Sequence, residues 1–317
     1  MLRLATAALI ISWMPAWGAD YTIMAPAAEG GGWDQTARAM QGALIEDGIS
    51  EQVDVVNVPG AGGTTGLARF VREARGNPRE LIVGGSVMVG AIIANHSPID
   101  LDAVTPIARL TSEQEAIVVP ASSTIRSMAD IVVMLKADPR WVVWGGGSAG
   151  GVDHILAAKI AKAVGVDPTQ IDYVPHSGGG EAVAALKANE VMVGISGLAE
   201  FESEIRAGNL RLLAIAGQRR IEGVDAPTLR ELNIDVALEN WRMVAAPPGI
   251  TPDEEAGIAA DIEKLAGSAA WSRALEARGW RDSYLTGRAL EQQLATEVRT
   301  TRLILAELGL LTLNPAD

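Results

Sequence analysis

The chain has 317 residues, 48% of them hydrophobic and 21% charged, a balance that excludes a largely disordered protein and suits two domains of modest size. Its formal net charge of −13 argues against a nucleic-acid partner, because phosphate backbones are held by clustered Lys and Arg. With no Cys and three scattered His (His96, His154, His176), disulfides and thiolate chemistry are excluded and a zinc site is poorly supported. No metal or cofactor is expected.

Arg3, the apolar run from Leu4 to Trp13 and the small residues around Ala16 to Ala19 have the layout of a secretory signal peptide, placed at 1–19. A membrane anchor is the alternative, but the run is shorter than the ~20 residues a span needs. The mature chain is expected outside the cytoplasm, without membrane insertion.

From there one unit recurs: an apolar strand, a Gly-rich turn, a helix. Strand 21–26 leads through Gly30-Gly31-Gly32 into a helix over 33–46. Strand 53–59 leads through 60–66 into a helix reaching Arg75, and strand 81–85 through Ser86 into a short helix over 87–94. A strand over 116–120 precedes a helix opening at Ser127, with Asp130 placed for a capping box. Strand 141–144 leads through 145–151 into a helix ending at Val164, and strand 171–175 through 177–180 into a helix ending at Ala188. Strand 191–195, a helix near 198–207 and strand 210–215 complete the series, before a polar stretch over 217–233. After a strand over 241–246, Thr251-Pro252-Asp253-Glu254 opens a helix with a capping residue, a first-position Pro and a Glu at the third position. The rest reads as helix: 255–265, 269–278 and about 288–308.

Strands alternating with helices of this length predict an α/β fold with mostly parallel sheets flanked by helices. The chain divides into two lobes, 20–120 with 245–317 and 121–244, joined by crossings near 118–121 and 244–246. That is a hinged clamshell with the turns of both lobes facing one cleft. More than half of the 34 glycines lie in these turns. One Gly per turn would meet the backbone's needs; runs of three predict close approach to a ligand.

Three chemistries fit the turns. Gly145, Gly147 and Gly150 match the dinucleotide fingerprint, but the acidic residue wanted at the end of the next strand is missing, since Asp172 lies at its beginning. Gly146, Ser148 and Gly150 match a nucleophile elbow, but only His154 and His176 follow, and the late His of a hydrolase is absent. The third needs no reactive side chain. Helix N-termini carry unpaired N–H groups and about half a positive charge, so several converging on a cleft bind an anion. Ser148, Ser177, Ser196, Thr64 and Thr65 would add hydroxyl donors, or simply cap their own helices. Trp33 is either core or ligand-facing. Asp34 is either a helix-end charge or an organiser of the adjacent loop, and Asp153 and His154 share that ambiguity. His96 reads as surface, and Glu200 as a solvated helix residue.

Five ordered motifs resemble one family. Gly30-Gly31-Gly32-Trp33-Asp34 with Thr36 and Arg38, Asn57-Val58-Pro59-Gly60-Ala61-Gly62-Gly63, Ser148-Ala149-Gly150-Gly151-Val152-Asp153-His154, Tyr173 to Glu181, and Asn240-Trp241-Arg242 are similar to those of the tripartite tricarboxylate transporter solute receptors. These are also called TctC-like or Bug periplasmic binding proteins, and the resemblance covers essentially the whole mature chain. It implies a two-lobe clamshell of the Venus-flytrap kind, resembling type II periplasmic binding proteins. Such a protein is a periplasmic, non-enzymatic receptor, expected as a monomer, that closes on a small carboxylate and delivers it to membrane permease subunits. The matching first-lobe positions are Gly30 to Asp34, Gly62, Gly63, Thr64, Thr65 and Ser86. In the second lobe they are Ser148, Ala149, Gly150, Gly151, Asp153, Ser177, Gly178 and Gly179. The Gly-Gly-Gly-Trp-Asp form resembles the tricarboxylate branch, which favours citrate. His176 departs from the Tyr or Phe expected there; its imidazole either favours a more anionic ligand or points away. A secreted serine hydrolase using Ser148 and a carboxylate sensor feeding a membrane signalling partner remain the alternatives.

Overall fold

The computed structural model describes residues 21–311. The signal peptide expected at 1–19 lies outside them. In the first lobe β1 (Tyr21–Ala25) runs parallel between β2 (Val53–Asn57) and β3 (Glu80–Gly85). The crossovers are α1 (Gly32–Glu46) and α2 (Thr64–Glu73), and α3 (Ser86–Ala94) follows β3. Helix α1 forms because Ala37, Met40 and Leu44 return to one face at helical spacing, and all three are buried.

The next strand is longer than its apolar run suggests. The expected strand over 116–120 is only the end of β4 (Thr105–Pro120), which is 16 residues and roughly 50 Å long. Its first part pairs with β9 (Glu239–Ala246) and β10 (Arg281–Thr286). Its last part pairs with β7 (Val193–Gly197) and β8 (Leu210–Ile215). The second lobe is completed by β5 (Val143–Gly146), which runs parallel between β6 (Asp172–Pro175) and β7. Helices α4 (Met128–Ala137), α5 (Val152–Ala163), α6 (Gly179–Lys187) and α7 (Leu198–Arg206) cover it. After β9, α8 (Pro252–Ala266), α9 (Ala269–Ala277) and α10 (Gly287–Glu307) pack back on the first lobe. The capping boxes at Ser127–Asp130 and Thr251–Glu254 are both formed.

The α/β two-lobe architecture holds, with one difference in the sheets. They are mixed, parallel on the β2-β1-β3 and β6-β5-β7 flanks and antiparallel around β4. The reason is connectivity: β4 carries the chain out of the first lobe and β9 brings it back, so the two run in opposite directions. The exchange between sheets falls between Gln114, paired with Glu239, and Glu115, paired with Gly197. It therefore precedes the crossing expected at 118–121, and β9 already belongs to the first sheet well before 244–246. The apolar ends that marked those positions lie within the sheets.

Candidate functional site

A cleft of about 330 Å³ opens between the lobes, large enough for a small organic ion. The two sides meet closely. Gly31 and Gly178 face each other across it, and Gly62 stands against Ser148. Of the expected residues, Gly32, Trp33, Gly62 and Gly63 line it from the first lobe, and Ser148, Ala149, Asp153, His176, Ser177 and Gly178 from the second. The N–H groups of Ser148, Ala149 and Gly178 find no acceptor among the described residues, nor does the Ser148 hydroxyl make a hydrogen bond there. These groups sit just ahead of α5 and α6, whose N-terminal ends add positive partial charge.

The other expected residues support the cleft from behind. Asp34 accepts hydrogen bonds from the Gly30 N–H and from Asn57, both at 2.9 Å, and pairs with Arg38. Burial raises its pKa, yet the donors Arg38, Gly30 and Asn57 together hold it below the ordinary aspartate value. It is an organiser of the loop. Gly31 is the N-cap of α1, and Thr64 bonds to the Ala61 carbonyl. Thr65 packs against Gly60. Ser86 donates to the Asn240 side chain at 2.8 Å. The Gly150 N–H donates to His154 Nδ1 at 3.1 Å, Gly151 caps α5, and the Gly179 N–H donates to Glu200 at 3.1 Å.

The histidines do not assemble a Ser-His pair. His154 stacks on Tyr173 with ring centroids 4.2 Å apart, and burial pushes its pKa down to about 4. His176 lines the cleft with Nδ1 3.1 Å from the Gly146 carbonyl oxygen, which fits an Nδ1–H donating to it.

Sequence reasoning named Asp153 but missed the rest of the charged wall. Glu200, read as a solvated helix residue, is half-buried in the cleft lining, where it accepts from the Ser196 hydroxyl and the Gly179 N–H. Glu181 accepts from the Ser177 N–H at 2.8 Å, and Asp153 from the Gly147 N–H at 2.5 Å. Arg242, at 2% exposure, pairs with Glu113 and lies 4.9 Å over the Trp280 ring, while Trp280 Nε1 donates to Glu113 at 2.9 Å. The available signal was a polar Asn240 and Arg242 bracketing Trp241 in an otherwise apolar strand.

Behind Asp153 lies Glu115, fully buried, its carboxyl set against the Asp153 carboxyl and the Asn240 side chain. Burial, then the charges of Asp153 and Glu200, raise its pKa well above the ordinary glutamate value. A carboxyl raised on folding contributes stability that is complete below its unfolded pKa of ~4.3 and is lost as pH climbs through the folded value. Glu115→Gln should therefore match the wild type near pH 4 and melt several degrees higher at pH 8, the gain being about 1–3 kcal/mol. Thermal melts across that range check this; an unchanged difference at both ends would refute it.

The two-lobe α/β fold is shared with periplasmic binding proteins, and helix ends of both lobes enclose a ligand-sized cleft. Residues 36–310 match the tripartite tricarboxylate transporter family receptor, TctC, and the chain belongs to that family. It is 27% identical over 229 residues to a UPF0065 protein of Agrobacterium vitis, covering 71% of this chain and 65% of that protein's length. Among solved structures, MatC from Rhodopseudomonas palustris with bound malate superposes with a TM-score of 0.77 at 22% identity, over 92% of this chain and 99% of that one. Rpa4515 of R. palustris with adipate gives 0.81 at 21% identity, over 92% and 98%. Among the described residues no cluster of three or more His, Asp or Glu is arranged to hold a metal ion. No helix there is long and apolar enough to cross a membrane.

Proposed function

We propose that this chain is an exported receptor that closes its lobes on a small carboxylate and hands it to the membrane permease of a tripartite transporter. The observation that carries this reading is the set of unpaired N–H groups at Ser148, Ala149 and Gly178, aimed into a cleft between lobes. Such donors bind an oxyanion without a reactive side chain, which favours a receptor over a hydrolase built on Ser148. Family membership supports it, as do the malate and adipate held by two structural neighbours. The lobes part where β4 leaves the first sheet after Gln114 and where β9 returns to it, and move as a monomer about those crossings. Citrate, favoured by the motif resemblance, would bring three negative charges to a wall that already carries Asp153, Glu181 and Glu200, so smaller anionic charge is preferred.

Ligand that binds only the folded, closed form stabilises it by mass action, about 2.7 kcal/mol at a hundredfold excess over Kd. Small carboxylates should therefore raise the melting temperature of the chain from Asp20 onward, and alter emission from Trp33 in the cleft wall. Sugars and inorganic phosphate should do neither. A neutral sugar that shifted the melt while every carboxylate failed would overturn the proposal. Mass spectrometry of ligand released from the purified protein identifies the compound.

A further inference from the structure

The two flanks of the cleft are built differently. On one, Gly31 meets Gly178, and Glu200 reaches the Gly31–Gly32 backbone from the other lobe. Contacts of this kind are exchanged for water at little net cost when the lobes part. On the other flank, α3 lies backbone to backbone on the turn before α5. A Cβ at Gly90 would collide with the Gly150 carbonyl, and one at Gly150 with the Ala94 side chain. The first lobe's core continues across this flank: Ile155 and Ala158 of α5 are its only buried members from the second lobe among the described residues.

The end of α10 seals the same flank. Gly309, at φ +69, stops the helix, and its N–H and that of Leu310 return to the Ala306 and Leu305 carbonyls. The turn leaves Leu305, Leu308 and Leu311 buried in the shared core. It also lays Gly309 against Thr169, just ahead of β6, and sets Glu307 opposite Lys162 of α5. That ion pair is exposed on both sides and contributes little by itself. The leucines carry the attachment, because apolar surface does not return to water without cost. Two strands crossing between lobes permit both opening and twisting. A second attachment away from them leaves one rotation, about the line joining the two.

We propose that residues 307–311 are a strap that holds the α3–α5 flank shut, so that the clamshell opens only where Gly31 meets Gly178 and solute enters there. The proposal rests on the lobes moving about the β4 and β9 crossings, and not on which solute they close upon.

Pulsed dipolar spectroscopy on the mature chain tests this, and the absence of Cys lets spin labels be placed at will. Gly42→Cys with Ala184→Cys reports the Gly31 side, and Thr300→Cys with Ala163→Cys the strap side. All four positions are exposed and none lines the cleft. Without solute, the strap-side distance should be single and narrow, and the other broad or split. Malate and adipate, held by two structural neighbours, serve as closing probes. The one that binds should shorten only the Gly31-side distance, by more than about 2 Å, the scale of domain rearrangement on binding.

Two variants lift the strap: Leu308→Ala empties its buried anchor, and Gly309→Ala drives a Cβ into Thr169. Each should spread the ligand-free strap-side distance towards longer values. Adding Thr169→Ala to Gly309→Ala should narrow it again, which relief of backbone strain alone would not do. Circular dichroism establishes folding; if Leu308→Ala does not fold, Gly309→Ala and its rescue decide. A wild-type strap side that moves as far as the Gly31 side, or a strap-side distance that stays narrow in the folded variants, overturns the proposal. If neither probe moves either pair, the carboxylate reading loses support, while the ligand-free distributions still decide the strap.

Discussion

Arg242→Met should lower the melting temperature by about 10 °C. Methionine keeps much of the apolar contact over Trp280, so packing loss is small. What disappears is the charge facing Glu113, which is buried at 4% exposure and keeps only the Trp280 Nε1 donor. Breaking a buried ion pair from one side costs about 3–5 kcal/mol, and each kcal/mol moves the melt by roughly 2–4 °C for a chain of this order of size. Removing the orphan as well, in Glu113→Gln with Arg242→Met, should recover more than half of the loss. Thermal denaturation of both singles and the double closes the cycle. If the double falls by the sum of the singles, the pair is not what holds this part of the fold.

The second large effect is on binding. Gly62 has φ +64 and sits between α3 and the Ser148 turn of the other lobe. A Cβ there would collide with that of Ala91 and stand 3.1 Å from that of Ser148. The left-handed backbone costs a side chain about 1–2 kcal/mol and overpacking typically ~1–3 more. Gly62→Ala should therefore weaken carboxylate binding about a hundredfold, near 2.8 kcal/mol. Ser148→Ala removes one neutral hydroxyl, roughly 0.5–1.5 kcal/mol, and leaves the backbone N–H groups in place. Titration of both variants with one carboxylate, alongside their melts, separates the cases. Equal and small losses from the two would show that close backbone approach is not what binds.

Local signals carried much of the architecture. Apolar strands followed by Gly-rich turns and capped helices are short-range patterns, and β1 to β3, β6 and the helices lie close to where those patterns put them, while β5 and β7 start two residues later and take in residues expected in the turns. The capping boxes at Ser127 and Thr251 are legible for the same reason, since every atom involved comes from four consecutive residues. The glycines of the cleft were visible too, because no other residue type explains runs of three.

The first half of β4 and all of β10 were not visible. Thr111, Ser112, Glu113 and Glu115 read as loop chemistry, and so do Arg281, Asp282 and Ser283. They form strands because partners far along the chain satisfy them: β9 and β10 supply the ladder, and Arg242 and Trp280 supply the charge and donor for Glu113. Glu200 shows the same limit at the site. In sequence it is one more acid in the first turn of a helix; only the docking of Ser196 and the start of α6 onto it makes it a cleft wall. Periodicity and turn chemistry are properties of neighbours in the chain, so the sequence by itself determined the strand-and-helix order and where backbone donors collect. The buried Arg242 meets Glu113 from more than a hundred residues away, and the acidic wall and the point of sheet exchange depend on how separate elements dock, so only tertiary packing decides which of those groups meet.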